Sequence, residues 1–273
     1  MVARPAKLAL IALFAGSGLG LAGCGDDITN ISSEVPTFTP DAIVTHAQLQ
    51  AALEAAVSVD NGGLELPMWA TVVDRAGVVV AVAHSGAGVG DQWLGSRAIS
   101  AQKANTANAF SLDGLALSTA NLFFPTQPGG SLFGLQESNP VNTDVVYGGE
   151  QSDYGTEDDF MVGKKPGGIN VFGGGLALYN SSGEVIGAVG LSGDTSCADH
   201  NKSWRVRHEL GLDYVPFGVD PASGTDDIIY DVTMDANGHY VSASGFGHPT
   251  CGGTEDSFDM PTVVPVREVG GGA

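Results

Sequence analysis

Ile169-Asn170-Val171-Phe172-Gly173-Gly174-Gly175-Leu176-Ala177-Leu178-Tyr179, and then Gly187-Ala188-Val189-Gly190-Leu191-Ser192-Gly193-Asp194, are strand-like runs broken by glycine. Glycine inside a strand costs stability, so it marks a bulge or a place where something comes close to the backbone. Two readings follow. Gaps on neighbouring strands leave a shallow floor for a flat ligand, or they are bulges that let a helix pack tightly. The runs Asn170–Tyr179 and Glu184–Leu191 flank Asn180-Ser181-Ser182-Gly183, which predicts a hairpin. A third glycine block, Gly134-Leu135-Gln136-Glu137-Ser138-Asn139, precedes them.

Working outward, Thr45 with Gln48 three residues on is a capping-box pattern. Leu49, Leu53, Ala56 and Val57 fall on one face of the helix it opens. Trp69–Val73 and Val78–Ala83 read as strands around the turn Asp74-Arg75-Ala76-Gly77. Ser96 is placed to cap a helix to about Phe110, dense in alanine and able to sit close to a sheet. Residues 111–169 are rich in Gly, Pro, Asn and Asp, and far longer than an ordinary connection. Asp199–Leu210 is a third helix, and Asp227–Met234 with His239–Ser244 forms a further hairpin. Between them Asp235-Ala236-Asn237-Gly238 reads as a turn, or as a fragment of a calcium loop. The order helix, hairpin, helix, long loop, hairpin, helix predicts an α+β fold, an antiparallel sheet covered by helices.

The chain opens like an exported protein. Arg4 and Lys7 precede the apolar run Leu8–Leu21, which is too short and glycine-rich for a membrane span. Leu21-Ala22-Gly23-Cys24 reads as a lipoprotein signal with the lipid on Cys24, making residues 1–23 a signal peptide and 24–40 a tether. Nothing in Gly25-Asp26 retains such a protein at an inner membrane, so the outer membrane of a cell envelope is expected. Of 11 basic and 31 acidic residues, removing Arg4 and Lys7 leaves 9 against 31, a net charge of −22. That excess argues against nucleic acid and leaves a lipid anchor as the expected membrane contact. With Cys24 assigned to lipid, Cys197 and Cys251 remain for a disulfide, and metal ligation is the weaker alternative without a CxxC spacing.

Catalytic motifs are few. Gly86-Ala87-Gly88-Val89-Gly90 meets Asp91 where a dinucleotide loop needs glycine, and Gly190-Leu191-Ser192-Gly193 lacks the nucleophile-elbow spacing. HExxH, Walker and CxxCH patterns do not occur. His200, Trp204 and His208 recur every four residues and share one helical face. An imidazole there is either an axial ligand for a haem iron or part of a half-buried aromatic face. His200 is the first candidate ligand and His84, at a strand end, the second. Lys103, inside the alanine-rich helix, either pairs with a ligand carboxylate or faces solvent.

Five blocks in order carry a family resemblance. They are Val73-Asp74-Arg75-Ala76-Gly77, Ser100-Ala101-Gln102-Lys103-Ala104-Asn105-Thr106-Ala107, Pro128-Gly129-Gly130, Phe172-Gly173-Gly174-Gly175 and Ile186–Gly193. Together they resemble the GlcG/HbpS-like haem-binding family over roughly residues 42–211. The resemblance implies a profilin-like α-β-α domain at 41–211, with an insertion at about 140–167 and a C-terminal extension at 212–273. It also implies a homo-oligomer and a haem or related tetrapyrrole as ligand, some members being linked to haem degradation. Lys103, Thr106, Gly174, Gly175 and Ser192 fall in the family's blocks and would border its pocket. Joined with the residue reading, the ring is expected against Gly173–Gly175, with Lys103 near a propionate and His200 on the iron. An enzyme on the same scaffold and a non-catalytic oligomeric envelope module are the competing expectations.

Overall fold

The computed structural model describes residues 35–270, so the signal segment, Cys24 and the start of the tether lie outside the described residues. Helix α1 (His46–Val57) opens at Thr45, whose side chain accepts from the Gln48 N–H while Gln48 reaches back, completing the predicted capping box. Strands β1 (Trp69–Asp74) and β2 (Val79–His84) follow, and then helix α2 (Ser96–Phe110), for which Ser96 is the first helical residue rather than the cap. The long connection contains a one-turn helix α3 (Thr143–Val146). Next come β3 (Gly175–Tyr179), β4 (Val185–Ser192) and α4 (Ser196–Glu209). The extension holds a two-residue pair, β5 (Thr233–Met234) and β6 (Tyr240–Val241), and the short α5 (Met260–Val263).

The four long strands make one antiparallel sheet in the order β2-β1-β4-β3. Side chains alternate across it, as pleated strands require. Ala70, Val72, Leu176, Leu178, Val189 and Leu191 face α1 and α4, while Val79, Val82 and Ala188 face the alanine row of α2. The expected α+β architecture, a sheet between helical layers, is the observed one.

Several boundaries differ for physical reasons. β3 begins at Gly175 rather than Asn170, because Gly174 takes a φ of 114° that breaks the strand just before it. α4 begins three residues before Asp199, since Thr195 accepts from the Ala198 N–H and caps it there. The described part of the tether is docked, with the Phe38 N–H donating to Gly163 at 2.6 Å. The insertion is pinned from within the sheet layer. Gly163 and Lys164 exchange backbone bonds with Val79 of β2, and buried Arg97 of α2 grips Asp159 and the Val146 carbonyl.

The glycine gaps resolve to the packing reading. Gly190 stands between Thr71 and Gly175 in the sheet register, and α2 lies directly on that row. A Cβ on Gly190 would overlap the Ser100 carbonyl and the Ala104 nitrogen; one on Gly175 would sit 2.5 Å from the Lys103 carbonyl. Only a bare backbone lets the helix come this close.

Candidate functional site

Two regions concentrate chemistry: a closed polar network around α4, and an open groove beside the extension. The network begins with Lys103, whose Nζ donates to Asp199 Oδ2 at 2.7 Å and to the Leu191 carbonyl at 3.0 Å. Asp199 Oδ1 accepts from the Asp194 N–H, and Asp194 binds Lys202 at 2.6 Å. All four side chains are buried. Burial pushes Asp199 up to about 6 against the pull of Lys103. For Asp194 burial acts the same way, but bonds from Lys202, Leu64 N–H and Thr195 N–H outweigh it and hold the carboxyl below its ordinary value.

Further along the helix His200 is fully buried, with Nε2 3.0 Å from Asp227 Oδ1 and Nδ1 enclosed without a hydrogen-bond partner among the described residues. Arg207 binds both oxygens of Asp226, at 2.7 and 2.9 Å. Asp226 and Asp227 both come from the extension, and with the sheet and α1 packed on its other faces ten of the fourteen residues of α4 are buried. His248 and Cys251 close the start of the helix, where Cys251 bonds to Cys197. Burial lowers His248 to about 4, so it is a neutral imidazole.

The expected ring seat is therefore filled by protein. Lys103, Gly174 and Asp199 do meet, and a Cβ on Gly174 would lie 3.1 Å from Lys103 Nζ. Gly173 packs on Ser196 and His200 in the same way. Lys103 is spent on Asp199, and His200 on Asp227. Thr106 bridges Gln102 and Asn170, while Ser192 is buried at the end of β4 opposite Trp69. His84 Nδ1 donates to the Gly86 carbonyl at 3.0 Å, and the ring packs edge-on against Trp69.

Open space lies elsewhere. A groove of about 670 Å³ runs between the loop Gln127–Ser131 and the β5–β6 hairpin. Phe124, Tyr240 and Val241 give it apolar walls, and Gly129 and Gly130 keep one rim low. Clefts at Arg205–His208 and at Arg75–Val185 are about half that size, 320 and 350 Å³. On the groove wall His239 is 71% exposed, with Nδ1 3.6 Å from Asp235 Oδ2 across the hairpin turn. The sequence reading saw this hairpin but not its imidazole as a site residue. Its one available signal was the proximity of an Asp-x-Asn-Gly-His turn to no other assigned role.

Residues 44–203, more than half of the chain, match the family described as "Haem degrading protein HbpS-like", and the chain belongs to that family. Among solved structures it is similar to a protein in the crystal structure of a PduOC:heme complex. The two are 23% identical over 60% of this chain and 89% of that chain, with a TM-score of 0.42. The Klebsiella pneumoniae protein ORFY, of the DUF336 family, is 22% identical over 67% of this chain and 98% of that one, TM-score 0.43. No curated protein matches this chain.

Proposed function

We propose that this protein binds haem, or a related tetrapyrrole, in the groove between Gln127–Ser131 and the β5–β6 hairpin. The observation that carries the reading is His239, an exposed imidazole on the wall of a ring-sized apolar groove in a chain of the HbpS-like family. The donor set fits. The Asp235 carboxylate stands 3.6 Å from Nδ1, a charged neighbour rather than a hydrogen-bond partner, so a ring nitrogen is available to an iron, and Phe124 and Tyr240 supply faces for a flat macrocycle. The groove lining holds no cation, so the propionates are directed to solvent, where ionised carboxylates are cheap to keep. When bound, the iron would supply redox and oxygen chemistry; this chain's residues bind and orient the ring.

Titrating hemin into the purified protein should give a shifted Soret band. His239→Ala should weaken binding by about tenfold or more and change the band, as loss of an axial ligand does. His200→Ala should leave the band unchanged. An unshifted spectrum, or an identical band in His239→Ala, rejects the groove. The family description favours degradation as a second reading: loss of the Soret band with iron release under a reductant would support it, and a stable spectrum would reject it.

Tethering to a cell envelope through a lipid on Cys24 rests on the leader Met1–Gly23, and an outer-membrane address on Gly25-Asp26. A fatty-acid label that enters the wild type but not Cys24→Ser supports the anchor; equal labelling rejects it. Assembly into a homo-oligomer, the family's expectation, is read by light scattering, where a monomer mass ends the idea.

A further inference from the structure

We propose that Cys197, Cys251 and His248 form a redox-gated site for a borderline-soft divalent cation, zinc being the ion whose chemistry fits. Ligand atoms of all three lie within 4.8 Å of one another. Cys197 is fully buried in the first turn of α4, while His248 and Cys251 lie three residues apart on the loop that closes over it. The site is independent of the groove and of the haem reading.

Each donor is prepared for ligation. His248 is 2% exposed, and its Nδ1 lies 2.6 Å from the Pro249 carbonyl, to which it can only donate. The lone pair is thereby placed on Nε2, while Nδ1, held by that carbonyl, is the nitrogen 4.0 Å from Cys197 Sγ, so ligation needs the ring to turn Nε2 toward the sulfurs. Fixing one ring nitrogen on a backbone carbonyl is the usual way a metal-binding imidazole is oriented. Ser196 Oγ stands 3.3 Å from both His248 Nε2 and Cys251 Sγ, so imidazole and sulfur face one small polar space. The Cys197 N–H, at the start of α4, points to Cys251 Sγ at 3.2 Å and would stabilise a thiolate there.

With the sulfurs bonded at 2.07 Å neither is free to ligate. Around a tetrahedral zinc two thiolates stand about 3.8 Å apart. The Cα atoms, 6.0 Å apart, need little change for that, and Gly252 beside Cys251 lies in open space at a φ of 85°. An external thiol supplies the two electrons: the disulfide and two R–SH give two protein thiols and R–S–S–R. Metal entry then releases the two thiol protons as two S–Zn bonds and one N–Zn bond form, with water as the fourth ligand.

The test uses cobalt(II) as a spectroscopic probe on the purified protein, before and after reduction by a phosphine that is then removed without air. Reduced protein should bind one equivalent with a thiolate-to-cobalt charge-transfer band, displaced by zinc; oxidised protein should show none. His248→Ala keeps both cysteines and the disulfide, and should weaken binding about tenfold or more. Circular dichroism on the same samples separates a folded site from released cysteines. The proposal is overturned if reduced protein gives no such band, if His248→Ala binds equally, or if binding occurs only in unfolded protein.

Discussion

At the scale of single residues, buried ion pairs and the exposed histidine carry opposite consequences. Lys103 is 2% exposed and holds Asp199, so Lys103→Ala leaves a buried carboxylate without its partner. Breaking such a pair should cost about 3–5 kcal/mol in urea unfolding. His239→Ala, at an exposed turn, should change stability by less than about 0.5 kcal/mol while it changes hemin binding. Asp194 sets a pH dependence. Its folded carboxyl lies below the ordinary value, so the unfolded chain binds the proton more readily. Its contribution is present above the unfolded value near 4 and is lost as pH falls through the lower folded one. Unfolding midpoints followed from neutral to acid pH should therefore fall less steeply in Asp194→Asn than in the parent; an unchanged slope would remove Asp194 from the acid response. None of these pairs was legible beforehand. Lys103 could be singled out as a lone base in an alanine helix, but its partner lies 96 residues away, and no local pattern encodes that distance.

At the scale of elements, the sequence is most legible where bonding is local. The capping box at Thr45 and the turns at Gly77 and Gly183 depend on neighbours within four residues, and they formed as read. The glycines of β3 and β4 were legible as gaps but not as to what fills them. Both a ligand and a helix demand a missing Cβ, and only the path of α2 decides between the two. Gly190→Ala drives a methyl into Ser100 and Ala104 and should destabilise by about 1–3 kcal/mol as α2 is pushed off the sheet. Gly88→Ala, with open space around it, is the control and should be near neutral in the same thermal melts. Equal effects would mean that the helix–sheet contact is slack.

At the scale of the whole molecule, the extension and the charge balance matter most. Cys251 ties the extension to α4 across 54 residues, a loop whose closure contributes about 4 kcal/mol in the chain-entropy account. Cys197→Ala with Cys251→Ala should lower the melting temperature to that of the reduced wild type; a melting point equal to that of the oxidised protein would show that the bond stabilises nothing. Four cations, Arg97, Lys103, Lys202 and Arg207, are withdrawn together with four carboxylates, Asp159, Asp199, Asp194 and Asp226, so burial of these pairs leaves the surface as acidic as the net −20 of the full chain. Hemin is itself anionic through its propionates. Its affinity should therefore rise as salt is raised from about 0.01 to 0.15 M, over which the screening length falls from about 30 to 8 Å. A fall in affinity would point to a cationic seat and against this groove, whose lining carries Asp235 and neither Lys nor Arg.

What the chain settled by itself was short in range: caps, turns, the alternation of strands, the family blocks and so the layered fold. Such features depend on dihedral preference and on burial patterns that repeat within one element. Which surface stays open was a tertiary matter. Residues 212–270 fold back on α4, engage His200 and cover the face of the helix that the sheet and α1 leave free, and the concavity reappears beside their own hairpin. A side chain's availability is set by whatever packs against it, and here that partner comes from a distant part of the chain.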